Sequence, residues 1–293
     1  MRTPSHAVRV VHYPVEPGSE TTVPLRLLLG GPPTEVPQGA PKIFWLVGFG
    51  EDETSALAAA TKLHAATGML AMGVRFPFAE VVKKSSNVRR GLDHFMNGAL
   101  PYAAGEVAPE RPAFFGGNSL GGFAAMVASR EAPVCKGLGV LSPLVANRAL
   151  GRTLITRELT VTYRLVVKSA WQNYRLRQEG LGMVLQGAGH DAREMGLMRF
   201  PQANAYAFSN RTGNLALEGA CRMREAGHPV AIFSPEDDLC FYAPDYANML
   251  GAVGCADLIH PVPGPHATMV SRAGQEQLAL VGQWLAGQIP AER

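Results

Sequence analysis

The chain has 293 residues, 47% of them hydrophobic and 17% charged, with 27 Lys and Arg against 24 Asp and Glu for a formal net charge of +3. High apolar content with low net charge excludes intrinsic disorder. So small a basic excess also argues against a nucleic-acid binder, whose phosphate contacts demand a strong positive balance.

The first twenty residues, MRTPSHAVRVVHYPVEPGSE, lack the apolar stretch of a secretory signal. Val8–Val15 and Val23–Leu29 read as two strands joined by the turn Glu16-Pro17-Gly18-Ser19-Glu20. Lys42–Val47 is the next strand and ends at Gly48-Phe49-Gly50. Thr54–Ala66 has helical spacing, with Asp52 or Thr54 as N-cap. Met69–Val74 reads as strand, Val88–Met96 as helix, Pro112–Gly116 as strand and Phe123–Ser129 as helix. Gly137–Leu141 and Val230–Phe233 are further buried-type strands, and Gln275–Ala286 a closing helix. Strands alternating with helices predict an α/β architecture, a largely parallel sheet covered on both faces.

One stretch breaks the rhythm. About seventy residues separate the strand at Gly137–Leu141 from the helix expected at Asn214–Ala226, far more than an ordinary connection. We read 145–212 as an inserted, mainly helical cap over one end of the sheet, with 1–144 and 213–293 as the core domain. No apolar run reaches 18 residues, so no membrane span is expected. Cys135, Cys221, Cys240 and Cys255 show neither CxxC spacing nor the density of a disulfide scaffold, and read as small buried hydrophobes. A cytoplasmic protein, monomer or homodimer, is expected.

Gly117-Asn118-Ser119-Leu120-Gly121 lies between a predicted strand and a predicted helix. In that context G-x-S-x-G forms a nucleophile elbow: the strained turn lifts the Ser119 hydroxyl to the sheet's carboxyl edge, and the glycines remove side-chain bulk around it. The Leu120 N–H is then aimed at a developing oxyanion. A serine hydroxyl needs a base. Of eight histidines, His266 lies in the turn-rich loop Pro263-Gly264-Pro265-His266 after an apolar strand-like segment, Leu258–Val262. His64 and His94 fall in helices, His6 and His12 near the start, His228 after a helix and His260 in or beside a strand. His190-Asp191, in the cap, lacks a metal-binding HExxH pattern. The base needs an orienting carboxylate, and Glu236-Asp237-Asp238 follows a buried strand.

Ser119, this acid loop and His266 stand in the order nucleophile, acid, histidine, and at these three motifs the chain resembles the α/β-hydrolase superfamily. The resemblance implies a serine hydrolase with a Ser119–Asp237–His266 triad. Asp237, followed by one variable and two apolar residues, matches the family's acid turn better than Asp238, which stays open as the alternative. The family often carries His-Gly-x after its third strand; here Val47-Gly48-Phe49 stands in that place, with Val47 departing from the usual His. The resemblance assigns Phe49 and Leu120 to the oxyanion hole, and Gly48 and Asn118 to substrate contact. A serine nucleophile separates the chain from the family's dehalogenases and epoxide hydrolases, which use Asp there.

Neither glycine cluster is a phosphate loop or a dinucleotide fingerprint, and no metal or other cofactor is expected. The expected substrate is an ester or thioester with an apolar acyl group. Between Val145 and Phe200 stand nine basic residues against four acids, an excess of five. Arg157, Arg164, Lys168 and Arg175 would form one helical stripe, which is either a solvated face or an attractor for an anionic or carrier-linked substrate. Met183, Met195 and Met198 are candidate pocket linings. The same acyl-enzyme resolved by an alcohol or amine would make an acyltransferase, and a non-catalytic ligand-binding protein is the third alternative.

Overall fold

The computed structural model describes residues 8–32, 40–48, 50–130, 132–144, 210–238 and 243–288, together with 195, 199, 202, 203 and 206. Eight strands form one sheet: β1 Val8–Pro14, β2 Thr22–Leu29, β3 Lys42–Leu46, β4 Leu70–Val74, β5 Ala113–Asn118, β6 Cys135–Leu141, β7 Val230–Pro235 and β8 Ile259–Val262. Their order is β1-β2-β4-β3-β5-β6-β7-β8. The first two pairings, β1 with β2 and β2 with β4, are antiparallel, and every later one is parallel.

The middle strands are buried on both faces because successive side chains point to opposite sides. Phe44 and Leu46 of β3 enter one apolar cluster while Ile43 and Trp45 enter the other. Phe115 and Phe114 of β5 divide in the same way, as do Ile232 and Phe233 of β7. Among the described residues seven helices cover the sheet: α1 Glu53–Thr67, α2 Phe78–Lys84, α3 Val88–Glu106, α4 Leu120–Ser129, α5 Asn210–Glu225, α6 Ala243–Gly251 and α7 Arg272–Ala286. α1 and α7 supply the cluster with Ile43 and Trp45; α2 to α6 supply the other.

Local chemistry sets the helix ends. Asp52 caps α1 by accepting the Ser55 N–H at 3.0 Å, one of the two candidates expected. α3 runs ten residues beyond its expected end at Met96, through Gly98 and Pro101. Gly98 permits this packing, since a Cβ there would stand 1.9 Å from the Tyr13 hydroxyl. At the far end of α3 the fully buried Lys42 reaches across and donates to the Ala104, Val107 and Ala108 carbonyls at 2.5, 2.6 and 2.8 Å. The Ala104 and Val107 carbonyls would otherwise be orphan acceptors at a helix end, whereas Ala108 O also accepts the Arg111 N–H at 3.0 Å; the ammonium complements the negative end of the dipole.

Of the segment read as a cap, only five residues outside α5 are described. Met195, Ala203 and Tyr206 are buried in the larger core cluster, so Met195 fills core. Met183, Met198 and the stripe from Arg157 to Arg175 lie outside the described residues. Arg199 donates to the Val82, Lys83 and Ser85 carbonyls at 2.6 to 2.9 Å, which ties this part of the segment to the end of α2. α5 begins at Asn210, four residues before its expected start and inside the boundary read for the cap. The three described cysteines are free thiols: Cys135 and Cys255 are buried, and Cys221 Sγ lies 2.8 Å from Cys255 Sγ. No described helix is long and apolar enough to cross a membrane.

Candidate active site

Parallel strands all end on the same side, and ligands of open α/β sheets bind at that edge. Ser119 follows β5, Ser142 follows β6, Asp238 follows β7, His266 follows β8 and Glu51 follows β3, so one edge collects all five. Ser119 sits at φ 52°, ψ −120°, a strained conformation for a residue with a side chain. Its backbone is clamped: its N–H donates to Leu141 O at 3.0 Å, and its carbonyl accepts from Phe123 and Leu144 at 3.1 and 2.9 Å. The surrounding glycines have a measurable reason. A Cβ at Gly117 would lie 2.5 Å from Leu46 O, and one at Gly121 2.2 Å from the same oxygen, so the elbow packs backbone to backbone against the end of β3.

His266 Nδ1 lies 3.0 Å from Asp238 Oδ2. This corrects the expectation of Asp237. Pro235 to Asp238 form a turn closed by Asp238 N–H to Pro235 O at 3.2 Å. Glu236 and Asp237 occupy its exposed tip, and Asp238 turns back under the sheet edge at 2% exposure. The strand β7 also runs two residues past its expected end at Phe233, which shifts the inward position along the chain.

Sequence reasoning missed two neighbours. Ser142, at φ 44° and buried, donates its hydroxyl to Asp238 Oδ2 and lies 3.0 Å from His266 Nδ1. The signal for it was a Ser directly after the apolar strand Gly137–Leu141. Glu51 is the second: buried, with both carboxylate oxygens accepting hydrogen bonds. Its signal was an acid three residues beyond Gly48 at the end of an apolar strand.

Burial disfavours a charged imidazole at His266, but the charge and hydrogen bond of Asp238, with the charge of Glu51, outweigh it and hold His266 above its ordinary value. With Nδ1–H directed at the carboxylate, Nε2 is left as the proton acceptor. Such a pair can take a proton from a hydroxyl presented to Nε2 and return it to a leaving group.

The remaining expected residues divide. Leu120 opens α4, where the first N–H groups have no intrahelical partner and the dipole favours negative charge. Gly48 closely approaches Ser119, since a Cβ there would lie 3.2 Å from Ser119 Cβ. Its N–H, however, donates to Glu51 at 2.8 Å. Asn118, expected at the substrate, is 3% exposed and gives its amide to Glu51 at 2.6 Å, so it belongs to the scaffold beneath the elbow. Phe49 lies outside the described residues. His64 bonds Met69 O at 2.7 Å, His94 stacks on Tyr13, and His260 packs beside Phe233 and Trp284, away from this pair. Among the described residues no group of three or more His, Cys, Asp or Glu is arranged to hold a metal.

No protein-family model matches the sequence, and no curated protein is significantly similar to it. Solved structures are similar in backbone. A thermostable esterase from Pseudomonas putida superposes with a TM-score of 0.58 at 16% identity, covering 99% of this chain and 85% of its own. The chain has the α/β-hydrolase fold. A carboxyl esterase from the fungus Tuber melanosporum gives 0.56 at 15% identity over 98% of this chain and 87% of the other. A thermophilic carboxylesterase from a metagenomic library gives 0.55 at 16%, covering 98% and 90%. Within the α/β-hydrolase fold, the turns after β5, β7 and β8 are where Ser119, Asp238 and His266 stand.

Proposed function

We propose that the protein is a serine hydrolase of carboxylic esters. The observation that carries this reading is the coincidence, at one sheet edge, of a strained Ser119 at the head of α4 and a His266–Asp238 pair at 3.0 Å.

In the first half-reaction Ser119 Oγ attacks the ester carbonyl carbon as its proton passes to His266 Nε2. The carbonyl electron pair moves onto oxygen, and the Leu120 N–H, with Phe49 N–H as second donor, stabilises the oxyanion. When that pair returns, the carbon–oxygen bond to the alcohol breaks and His266 delivers the proton to the leaving oxygen. Water then repeats the sequence on the acyl-enzyme, with His266 as base, and frees the carboxylic acid and Ser119. Asp238 keeps the proton on Nδ1 and stabilises the imidazolium, and Ser142 fixes the carboxylate.

Esterase neighbours support an ester as the bond attacked. A thioester of the same acyl group suits the same chemistry. Residues 145–212 form a cap in this reading, and the basic excess within them favours an anionic or carrier-linked substrate. Arg199 is engaged by the end of α2 instead, and the other eight of those nine cations lie outside the described residues.

Intact mass after fluorophosphonate treatment, alongside a panel of p-nitrophenyl esters and thioesters, tests the reading. One adduct on wild type, none on Ser119→Ala, and turnover only by wild type are expected. No adduct on wild type, or an adduct that survives Ser119→Ala, refutes it.

A further inference from the structure

Glu51 lies in the turn between β3 and α1, 7% exposed, and is not needed for any proton transfer described above. Its Oε2 accepts from Gly48 N–H at 2.8 Å and from the Asn118 amide at 2.6 Å; its Oε1 accepts from Met269 N–H at 2.7 Å. These donors belong to three separate parts of the sheet edge: the loop after β3, the end of β5 and the loop after β8. Gly48 begins the loop that carries Phe49, Asn118 immediately precedes Ser119, and Met269 follows His266 by three residues. All three partners are N–H donors, so the arrangement fits a carboxylate and offers no acceptor for a protonated acid.

A surface acid after a strand would ordinarily be a solvated turn residue or a helix N-terminal charge. Here Asp52 caps α1, and Glu51 turns inward instead. The distance along the chain from Glu51 to Met269, 218 positions, means that no local turn explains the contact. Burial lifts the Glu51 carboxyl above its ordinary value, and the three donors with the charge of His266 offset only part of that rise. Among the described residues, the charges that raise His266 are those of Asp238, from the turn after β7, and Glu51, from the turn after β3.

We propose that Glu51 is a positioning residue: its carboxylate locks the oxyanion loop, the nucleophile elbow and the histidine loop in register, and supplies a second negative charge to His266 as the imidazolium forms. The proposal rests on the acyl-enzyme reading above. Misplacing reacting groups by about 1 Å can cost on the order of 10²-fold in rate, and a single buried carboxylate here sets three placements together.

Glu51→Gln keeps the volume but has one oxygen for three donors, so its amide must face at least one of them. Expected are a folded protein by circular dichroism and a fall in kcat of on the order of 10²-fold with KM within about threefold. Ser119 should still be labelled by fluorophosphonate, but more slowly. The acid limb of the kcat/KM profile should move to lower pH, because one of the charges that raises His266 is gone. Unchanged kcat and limb overturn the proposal. A loss of thermal stability with kcat, KM and limb all unchanged also overturns it, by leaving Glu51 a purely structural role. If the Gln variant does not fold, Asn118→Leu removes one donor and keeps the carboxylate. It should lower kcat about tenfold at constant KM, and an unchanged kcat in that variant overturns the proposal. Wild type that neither turns over esters nor labels at Ser119 overturns the acyl-enzyme reading itself, and this proposal with it. Labelled wild type beside an unaffected Glu51→Gln overturns this proposal alone.

Discussion

One step along the turn after β7 carries a carboxylate from solvent to the floor of the site. Asp237 is at the exposed tip, and Asp238 is buried against Ser142 and His266. On the proposed mechanism Asp238→Asn removes the charge and presents a donor where an acceptor is needed. The Nδ1 proton then loses its partner, the wrong tautomer is favoured, and kcat should fall on the order of 10⁴-fold. Asp237→Asn should leave kcat within about twofold, since exposed substitutions away from such features change little. Equal losses in the two variants, measured as kcat on one p-nitrophenyl ester, would reject the assignment of Asp238. The same pair predicts the pH profile. His266 works as a base only when neutral, and its folded value is held above 6.5 by Asp238 and Glu51 against burial. The rate should therefore rise with pH through an apparent acid limb above 6.5, and in Asp238→Asn that limb should move down. A wild-type limb below 6.5 in kcat/KM would contradict this.

Helices and strands meet here at backbone contact, and that is where element-scale predictions lie. Gly121 brings the first turn of α4 against Leu46 O of β3, where an added Cβ would lie only 2.2 Å away. Gly121→Ala must push the head of α4 off β3, moving Ser119 and the Leu120 N–H together. A fall in kcat/KM of at least about 10²-fold is expected, with titration by fluorophosphonate reporting the slowed nucleophile; near-wild-type labelling would show that α4 can yield without cost. Lys42 acts at the other end of the molecule's strand β3, where it satisfies three carbonyls at the end of α3. Lys42→Met keeps the chain length and orphans the Ala104 and Val107 carbonyls, while Ala108 O keeps the Arg111 N–H. Destabilisation of about 3 kcal/mol by urea unfolding is expected from leaving buried acceptors unpaired, and a change below about 0.5 kcal/mol would mean that water replaces the ammonium. A lysine in the run Lys42–Val47 gave no hint of this in sequence, because the acceptors are more than sixty positions away.

For the molecule as a whole, the charge is uneven. Removing the excess of five between Val145 and Phe200 from the total of +3 leaves −2 for the rest of the chain. If the cap attracts an anionic substrate, kcat/KM for an anionic ester should fall as salt is raised from 50 to 500 mM, while that for a neutral ester of equal acyl length holds steady, because screening shortens the reach of the cap's field. Parallel salt dependence for both esters would assign those cations to a solvated face. The fold itself was legible because strand identity is a local property: Phe44, Trp45 and Leu46 alternate between two apolar layers, and runs of that kind read as buried strands without knowledge of the partners. The short helices α2 and α6 were not legible. Seven and nine residues long, they are too short to show a clear 3.6-residue period.

Sequence by itself determined the α/β alternation and the glycines of the elbow, and it singled out the proposed pair Ser119 and His266, because each depends on a few neighbouring positions. A strained turn needs glycine beside it, and a loop histidine after a strand needs only chain order. Tertiary structure put Asp238, not Asp237, beside His266, and it drew in Ser142 and Glu51. Which of two adjacent acids turns inward depends on where β7 ends and how its turn closes. Two of the partners of Glu51, Asn118 at the end of β5 and Met269 in the loop after β8, are 67 and 218 positions away, and only the parallel sheet, by ending its strands on one edge, brings them within 3 Å of it.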